Sequence, residues 1–420
     1  MNILLVGSGG REHAMAAKIV QSPLCDKLFI APGNPGTENL GMNIDLGVSD
    51  FKGLEKAILH HNIEMLVVGP EVPLAEGIRD YIEPLFPNLM IIGPGKLGAQ
   101  LESSKAFSKR FMQRHGIPTA AYIEVNQENI EVGIQYLNKH QGPYVLKADG
   151  LAAGKGVLII ENNGEAISEL KNMLSGKFGT ASETVIIEQF LSGIEFSVFV
   201  LTDGKDYVLL PEAKDYKRIG EGDTGLNTGG MGAVSPVPFF DAGMNSKVID
   251  RIIRPTIDGL TSEDIPYQGF IFFGLIDVGG DPYVIEYNCR MGDPETEVVF
   301  PRIESDMVDL FIKSGVGKLS EYQLLTNPLT AATVMLVSEG YPDAYEKGKV
   351  ITGDVDKPLV FHAGTRMLNG NLMTNRGRVM ALTSFGEDIP SAIKKSLALA
   401  ESIRFDGKYY RRDIGLDLIS

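Results

Sequence analysis

The first hundred residues alternate short apolar runs with segments of helical periodicity. Four of these runs end in glycine, proline or both, and their sequences are "NILLVG", "KLFIAPG", "MLVVGPE" and "LMIIGP". Uninterrupted apolar runs of this length, separated by helix-length segments, are typical of parallel strands that are buried on both faces. We therefore predict a parallel-sheet domain over residues 1–100. Ligands bind such sheets at the carboxyl ends of the strands.

The pattern changes after this domain. Residues 101–116 have apolar side chains close to one helical face, which predicts a single helix within a connecting segment, 101–120. A small α/β segment is predicted over 121–192, and a strand-rich segment over 193–325.

The last segment, 326–420, contains three apolar runs that predict strands. The run "IPSAIKKSLALAESI" then predicts a closing helix. This segment carries no recognisable catalytic set, so we assign it to packing and to closing a cleft. The whole chain is therefore predicted to be an α/β protein of several domains.

Composition narrows the possible functions. The 420 residues carry a net charge of −15, which argues against binding to nucleic acid or to anionic membranes, because both need basic surfaces. No apolar run approaches the ~18 residues of a membrane span. Cys25 and Cys289 are the only cysteines, too few for a disulfide framework, so we expect a reducing compartment, the cytoplasm.

Residues 144–160, "YVLKADGLAAGKGVLII", contain a glycine-rich turn that departs from the phosphate-binding P-loop. Gly150 and Gly154 are separated by three residues instead of four, and an apolar β-branched run follows the turn, so it joins a strand to a strand. Glycines let backbone N–H groups approach a ligand, while Lys147 and Lys155 supply positive charge, which suits a triphosphate. The alternative is a mobile surface hairpin with solvated lysines.

"YVIEYNCR", residues 283–290, predicts a strand with one polar face. Side chains alternate along a strand, so Glu286, Asn288 and Arg290 share a face. The opposite face is predicted to be apolar and packed, and it comprises Ile285, Tyr287 and Cys289. A carboxylate and an amide oxygen suit Mg²⁺, and Arg290 can bind a planar carboxylate or phosphate in two places. The alternative is a surface ion pair between Glu286 and Arg290.

"VIIEQFLSGIEFSV", residues 185–198, predicts a strand, a glycine turn and a second strand. Glu188, Gln189 and Phe190 could line a slot for adenine, with backbone groups reading the edge of the base. Glu195 could bind the ribose hydroxyls. The alternative is an edge hairpin with exposed glutamates.

"GSGGREHA", residues 7–14, follows the first strand and opens a helix. It is not the dinucleotide-binding fingerprint, because Glu12 stands where the third glycine should be. Free N–H groups at a helix N-terminus still bind phosphate, so we expect a monophosphate here. His13 is expected to be a buried or capping histidine and not a catalytic base.

Two further glycine-rich loops are predicted to contact substrate. In residues 213–232, Asp215, Lys217, Arg218 and Asn227 stand among six glycines. In residues 291–297, "MGDPETE", the carboxylates of Asp293 and Glu295 could receive an ammonium or amine group.

Together these motifs resemble one family. "GGREHA", "APGNPGT", "VGPEVPL", "ESSKAF", "KADGLAAGKGV", "NTGGMGA", "NCRMGDPET" and "FHAGT" occur in the order found in phosphoribosylamine–glycine ligases, which are ATP-grasp enzymes. The resemblance covers essentially the whole chain. It implies an ATP-grasp fold with an N-terminal Rossmann-like parallel-sheet domain, a small α+β lid, a central α+β domain and a small C-terminal domain.

The resemblance also implies a reaction. ATP, glycine and 5-phosphoribosylamine would give glycinamide ribonucleotide, ADP and phosphate through glycyl phosphate, in purine biosynthesis, with Mg²⁺ or Mn²⁺. We expect a monomer that acts on small molecules.

By the same resemblance the site residues fall into four groups. The catalytic charges are Arg290, Lys147 and Lys155, and the metal ligands are Glu286 and Asn288. The ATP-binding residues are Lys105, Lys147, Gly150, Ala153, Gly154, Lys155, Gly156, Glu188, Gln189, Phe190, Leu191 and Glu195. The substrate-binding residues are Gly9, Gly10, Asp215, Lys217, Asn227, Thr228, Gly229, Gly230, Met231, Arg290, Asp293, Pro294 and Glu295.

The chain departs from the family pattern at Tyr216, Leu226 and Met291, where His, Pro and Phe are usual. A second acidic metal ligand is also missing from the preceding strand, where only Asp277 is present and is predicted to lie at a turn.

Three other functions stay open. They are another ATP-grasp carboxylate–amine ligase or carboxylase, a nucleotide-binding sensor without turnover, and, least favoured, a dinucleotide-dependent oxidoreductase.

Overall fold

The computed structural model describes residues 1–151 and 156–419. Three residues predicted to cover ATP, Ala153, Gly154 and Lys155, lie outside the described residues. Among the helices of the described ranges, none is both long and apolar enough to cross a bilayer.

The N-terminal region is the predicted parallel sheet. Its order is β3-β2-β1-β4-β5, and every neighbouring pair is parallel. The strands are β1 Asn2–Gly7, β2 Lys27–Pro32, β3 Met42–Asn43, β4 Met65–Val68 and β5 Met90–Ile92, and the helices are α1 Gly10–Ile19, α2 Phe51–His61, α3 Glu71–Glu76, α4 Ile78–Ile82, α5 Lys96–Ser103 and α6 Lys105–Arg114. All four apolar runs form strands, so that prediction is confirmed; the short edge strand β3 was not predicted.

The single helix predicted over 101–116 is wrong. The chain forms α5 and α6 with a break at Ser104, whose backbone is extended (φ −136°, ψ 111°). The Ser104 hydroxyl accepts the Phe107 N–H at 3.1 Å, and the carboxylate of Asp149 accepts the Ala106 N–H at 2.7 Å. Serine at a helix N-cap stabilises a new start, so local capping outweighs the continuous apolar periodicity.

The next region forms a four-stranded antiparallel sheet, which we call the lid sheet, with the order β6-β9-β7-β8. Its elements are β6 Tyr122–Asn126, α7 Ile130–Lys139, β7 Tyr144–Ala148, β8 Val157–Ile160, α8 Asn163–Asn172 and β9 Thr184–Gln189. The pairing of β7 with β8 confirms that the glycine-rich turn joins a strand to a strand. The sheet and its two helices share a separate apolar core.

A second antiparallel sheet, the central sheet, has the order β11-β10-β16-β17. Its strands are β10 Ile194–Thr202, β11 Tyr207–Leu209, β16 Gly269–Val278 and β17 Asp281–Asn288. One apolar cluster joins this sheet to the N-terminal sheet. Strands β9 and β10 therefore belong to different sheets, and residues 190–193 cross between them, so the edge-hairpin alternative for residues 185–198 is wrong.

The remaining strands build a third sheet with the order β12-β15-β18-β22-β19, and β23 pairs with β18. These strands are β12 Lys214–Asp215, β15 Gly232–Ser235, β18 Thr330–Ser338, β19 Val360–His362, β22 Arg378–Gly386 and β23 Lys408–Tyr409. Two hairpins flank the sheet: β13 Arg218–Gly220 with β14 Thr224–Asn227, and β20 Thr365–Leu368 with β21 Asn371–Thr374. The helices are α9 Ala242–Val248, α10 Arg254–Ser262, α11 Thr296–Arg302, α12 Met307–Gly315 and α13 Ile389–Ser402.

The third sheet combines strands from two segments of the sequence. β12 and β15 come from the strand-rich segment 193–325, and β18, β19 and β22 come from the last segment. The three strands and closing helix predicted for the last segment are present. Because the sheet is shared, the predicted substrate loops that flank β12 and β15 are held by C-terminal strands.

The crossing between the lid sheet and the central sheet leaves no room for a side chain at Gly193, where a Cβ would overlap the carbonyl oxygen of Asp277. We expect Gly193→Ala to destabilise the protein by about 1–3 kcal/mol, since the backbone must shift to remove the overlap. Differential scanning calorimetry measures the loss. The control is Gly164→Ala near the start of α8, where the nearest atom is a flexible side-chain oxygen at 3.3 Å. Equal melting temperatures for the two variants would contradict this expectation.

Candidate functional site

Strand β17 carries an extra residue that changes which side chains face the site. Gly274 lies opposite Glu286 but Leu275 lies opposite Val284, so Ile285 is the added residue of a β-bulge. The core on the far side contains Val284, Tyr287 and Cys289. The prediction that Ile285 packs there is therefore wrong, because a bulge breaks the alternation of side chains along the strand.

Glu286 and Asn288 remain on the polar side of β17. Glu286 is partly exposed, while Asn288 is buried and its Nδ2 has no hydrogen-bond partner among the residues that the structure describes. Because the oxygen and nitrogen of a carboxamide are assigned from the hydrogen-bond network, a rotated amide would present the oxygen instead. A carboxylate beside an unpartnered carboxamide fits a hard divalent cation, which takes its other ligands from water and phosphate.

The base of the glycine-rich hairpin lies directly against this strand. The Nζ of Lys147, on β7, donates to the carbonyl oxygen of Ile285 at 3.4 Å. Lys105 lies nearby, at the start of α6. Burial lowers its pKa, while the charge of Glu286 acts in the opposite direction. Two cationic side chains therefore approach the predicted metal ligands, as the sequence predicts.

The carboxylate of Glu188 is shared by two buried lysines. Its Oε2 lies 2.9 Å from the Nζ of Lys147 and 3.1 Å from the Nζ of Lys109, and all three side chains are at most 6% exposed. Burial raises the pKa of Glu188, but the two ammonium groups lower it further, so the net shift is downward. The side chain of Glu188 is thus occupied, and its backbone lies in the lid sheet, in register with Tyr122 on one side and Val145 on the other.

The other predicted adenine residues follow at the crossing between the sheets. Gln189 ends β9, and Phe190 is 38% exposed.

The two described hairpin glycines use different backbone groups. The Gly150 N–H donates to the carbonyl of Ala181 at 3.0 Å, so it is not free for a phosphate. The Gly156 carbonyl accepts the N–H of Ala148.

Arg290 follows β17 directly and is held by two carboxylates from other elements. Its Nη2 lies 2.7 Å from Oε1 of Glu102, and its Nε lies 3.3 Å from Oε2 of Glu71. Burial would raise the pKa of Glu71, but Arg290 and Arg11 lower it to about 2. The alternative ion pair with Glu286 is not formed. Sequence reasoning missed both partners, although Glu71 stands in the quoted motif "VGPEVPL" just after β4.

Lys217 lies between two carboxylates. Its Nζ is 2.5 Å from Glu195 and 3.8 Å from Asp215. Burial lowers the pKa of Lys217, but these two carboxylates raise it well above its usual value. Burial also raises the pKa of Asp215. Glu195, predicted to bind ribose, is therefore paired with a residue of a predicted substrate loop.

The loops at 227–231 and 293–295 meet, as the sequence grouping predicts. Arg378 connects them, since it donates to the carbonyl oxygens of Gly229 and Asp293 and lies 3.0 Å from the Asp293 carboxylate. A Cβ at Gly230 would overlap Pro294, so the two loops are in van der Waals contact. The Thr228 N–H donates to the carbonyl of Lys217 at 2.7 Å.

Two arginines of the C-terminal segment therefore contact residues at the predicted site. Besides Arg378, Arg376 donates to the hydroxyl of Ser8 at 3.2 Å, in the turn before α1. The assignment of this segment mainly to packing and to closing a cleft did not anticipate these two contacts. The sequence "NRGR" before β22 offered the signal, because two arginines flank a glycine at the start of a strand.

The turn before α1 is less open than predicted. The Gly9 N–H donates to the Glu12 carboxylate at 2.6 Å, and Arg11 pairs with the same carboxylate at 2.6 Å, so one of the free donors expected for phosphate is taken. A Cβ at Gly10 would overlap Glu297. His13 is buried and accepts the His362 N–H at 2.8 Å, which confirms its structural role; burial lowers its pKa to about 3.

Burial changes the view of one predicted contact, Met231, and describes the positions that depart from the family pattern. The side chain of Met231 is fully buried in the core of the third sheet, and its backbone donates to Tyr216 and accepts from Met335, so it does not face substrate. Tyr216 is also buried, with its hydroxyl 2.5 Å from Asp417, and Met291 is buried. Asp277 lies at the β16–β17 turn, where it accepts the Gly280 N–H, as predicted.

Two buried acids lie in the predicted substrate loop 291–297, where it runs into α11. Burial raises the pKa of Glu295 to about 8, with Asp215 acting in the same direction, and the hydroxyl of Ser197 donates to it at 3.3 Å. Glu297 is fully buried, and neither of its oxygens has a hydrogen-bond partner within the described ranges. Burial raises the pKa of Glu297 well above its usual value.

Comparisons with known proteins agree with this geometry. Three family models match: the phosphoribosylglycinamide synthetase N domain over residues 1–102, its ATP-grasp (A) domain over 103–296 and its C domain over 331–417. The chain is 45% identical to the phosphoribosylamine–glycine ligase of Haemophilus influenzae over 99% of this chain and 98% of that protein.

Two solved structures extend the comparison. The crystal structure of a phosphoribosylamine–glycine ligase from Thermotoga maritima has a TM-score of 0.86 and 36% identity, and the match covers 99% of this chain and 100% of that chain. A biotin carboxylase in complex with a β,γ-ATP compound, from Campylobacter jejuni, has a TM-score of 0.72 at 16% identity, and the match covers 99% of this chain and 94% of that chain. The second likeness shows a shared fold only.

The raised pKa of Glu295 predicts a pH-dependent stability. Below pH ~4.5 the carboxyl is protonated in both states; between that value and about 8 only the folded state keeps the proton, so the free energy of unfolding falls as pH rises. We expect Glu295→Gln to gain stability relative to the parent protein between pH 5 and pH 8. The gain should be a few kcal/mol at most, since a tenfold change in proton affinity corresponds to roughly 1.4 kcal/mol. Thermal unfolding across this pH range measures the difference. A constant difference would contradict a buried neutral carboxyl.

Proposed function

Because the chain belongs to the phosphoribosylglycinamide synthetase family, we propose that its site joins glycine to 5-phosphoribosylamine at the expense of ATP. The products are glycinamide ribonucleotide, ADP and phosphate, and the reaction belongs to purine biosynthesis. The observation that carries this proposal is the approach of Lys147, at the base of the glycine-rich hairpin, to the carbonyl of Ile285 beside Glu286 and Asn288. A nucleotide covered by the hairpin would have its phosphates between these groups.

The chemistry needs an activated carboxylate, since a free carboxylate is a poor electrophile. We propose that the glycine carboxylate attacks the γ-phosphate of ATP to give glycyl phosphate, and that the amine of phosphoribosylamine then displaces phosphate. Two anions must meet in the first step. Lys105 and Lys147 reduce their repulsion, because fixed charges in a site from which water is excluded stabilise the charge of the transition state.

Glu286 and Asn288 would hold the divalent cation, Mg²⁺ or Mn²⁺. When bound there, the cation supplies positive charge to phosphate oxygens. The protein contributes a carboxylate and a carboxamide on one side of a rigid strand that is packed on its other face. Arg290 lies just beyond them and adds positive charge at the end of the strand, with its orientation fixed by Glu71 and Glu102.

The substrate side would be formed by the loops that Arg378 ties together. Asp215, Lys217 and Glu295 lie close enough for their charges to affect one another's pKa. Such a pocket offers the carboxylate of Asp215 and the neutral carboxyl of Glu295 to an amine, and the ammonium of Lys217 to a carboxylate, which are the two ends of glycine. Arg376, next to Ser8, adds a cation by the turn before α1, where the sugar phosphate is expected.

We propose that the enzyme works as a monomer in the cytoplasm. The net charge of −15 favours a soluble particle that stays apart from nucleic acid and anionic lipid. Sedimentation at assay concentration gives the oligomeric state.

The substrate assignment is tested by omission. We expect the purified enzyme to release ADP only when ATP, glycine and freshly made phosphoribosylamine are all present, since the amine drives the second step. Replacing glycine with bicarbonate or another amino acid should abolish sustained turnover. ADP release that depends on bicarbonate would favour a carboxylase instead, and binding without turnover would favour a nucleotide sensor.

The role of β17 is tested by Glu286→Gln, which keeps the size of the side chain and removes its charge. We expect turnover to fall about 10²- to 10³-fold, with a higher Mg²⁺ requirement, because an electrostatic contact to the reacting phosphates is lost. The matched control is Asp281→Asn, at the opposite end of the same strand, where the carboxylate pairs with Lys247 and Arg251. Full turnover by Glu286→Gln at the normal Mg²⁺ concentration would disprove the assignment.

A further inference from the structure

Lys109 has no role in the proposed reaction, yet it is one of the most deeply buried charges in the protein. Its side chain is 2% exposed, and it lies on α6, one turn after Lys105. Burying an ammonium group costs several kcal/mol unless it is paired. A buried lysine beside an ATP-grasp site therefore calls for a physical reason.

The contacts of Lys109 fix it in place. Its Nζ donates to the Thr119 hydroxyl at 2.7 Å, and that hydroxyl donates to the carbonyl of Val284 on β17 at 2.7 Å. Its second partner is Glu188, at 3.1 Å. Burial lowers its pKa to about 8, against the effect of Glu188, so the side chain is still mostly charged at pH 7. Lys109 is thus a stationary cation on one side of the Glu188 carboxylate.

Lys147 lies on the other side of the same carboxylate and is placed differently. Its Nζ is 2.9 Å from Glu188, but its other contact is a weak one, to the Ile285 carbonyl at 3.4 Å, beside the predicted metal ligands. A lysine chain with four rotatable bonds can move its ammonium by several ångströms while its backbone stays in β7. Of the two cations, only Lys147 lies next to the space where phosphates would bind.

From this asymmetry we propose that Lys109 is a positioning residue that keeps Glu188 neutralised when Lys147 leaves it for the ATP phosphates. The proposal rests on the ATP-binding role proposed for Lys147. If Lys147 were the only partner of Glu188, its departure would strand a buried carboxylate, and the lysine would stay where it is. With Lys109 fixed in place, the carboxylate keeps a partner and Lys147 is free to move.

The central test removes the charge of Lys109. We expect Lys109→Met to weaken binding of the non-hydrolysable analogue β,γ-imido-ATP with Mg²⁺ about tenfold or more, because Lys147 must now neutralise Glu188 alone. Isothermal titration calorimetry at pH 7 measures the affinity. In the assay, the ATP KM should rise by a similar factor, while the glycine KM stays within twofold. Lys109→Arg, which keeps the charge, should restore most of the affinity.

A double variant separates this role from a structural one. Adding Glu188→Gln to Lys109→Met removes the carboxylate that holds Lys147, so the double variant should bind the analogue more tightly than Lys109→Met alone, by about tenfold. A purely structural role for Lys109 predicts the opposite, since two buried changes would add. Equal or weaker binding by the double variant therefore overturns the proposal, as does unchanged binding by Lys109→Met.

Two further variants complete the test. If Lys109→Met does not fold, Thr119→Val provides the test, because it removes only the hydroxyl that anchors Lys109. We expect this variant to bind β,γ-imido-ATP about threefold more weakly. Unchanged affinity would overturn the proposal. Lys147→Met tests the premise: unchanged affinity in that variant would refute the ATP role of Lys147 itself. Lys177→Met is the control, because Lys177 forms a partly exposed pair with Glu169 in the same region of the chain.

Discussion

The carboxylate of Glu188 is the contact on which the arrangement of this site depends. It lies on β9 of the lid sheet and binds ammonium groups from β7 of the same sheet and from α6 of the connecting segment. Through Lys109 and the Thr119 hydroxyl the same group reaches the Val284 carbonyl on the central sheet. Because buried ions are stable only when paired, this cluster fixes the position of the hairpin base relative to β17. The predicted phosphate space lies between them.

The remaining charges follow the same rule of shared partners. Lys217 lies between Glu195 and Asp215, Arg290 between Glu71 and Glu102, and Arg378 between the loops that carry Gly229 and Asp293. In each case at least one partner of the cation comes from a different element of the fold. Polar groups held in this way are preorganised, so little reorganisation is required when charged substrates bind. A chain with a strong net negative charge can thereby keep local cations where phosphates are expected.

The sequence revealed what depends on local pattern. Uninterrupted apolar runs predicted the parallel sheet, and the glycine spacing predicted a strand-to-strand turn, because each depends on residues close together in the chain. The sequence did not reveal the features that depend on contacts between residues far apart in the chain. The bulge at Ile285 appears only when β17 is paired with β16, and the break at Ser104 is reinforced by Asp149, which is 45 residues away.

The same distinction between local pattern and distant contacts applies to the residues of the predicted site. Glu286, Asn288 and Lys147 could be identified because motif and alternation place them on one face of a strand or beside a glycine turn. Arg376 and Arg378 were missed, because "NRGR" shows two arginines but not their contacts to Ser8, Gly229 and Asp293, which cross 85 to 368 residues of chain. Met231 was misjudged for the opposite reason: it stands in a glycine-rich motif but packs into the core. A motif indicates where the backbone goes, and only packing decides which side chain reaches the ligand.

The distribution of the site residues over the lid, central and third sheets bears on how one scaffold can serve different reactions. The lid and central sheets contribute Lys147, Glu188, Glu286 and Asn288, which are groups suited to a nucleotide and a cation. The third sheet contributes Asp215, on β12, and Arg378, on the C-terminal strand β22. Likeness to a biotin carboxylase at 16% identity shows that the overall fold persists while most side chains change. Since ATP activation of a carboxylate makes similar demands for any acceptor, substrate choice in this protein should reside in the loops that the third sheet holds.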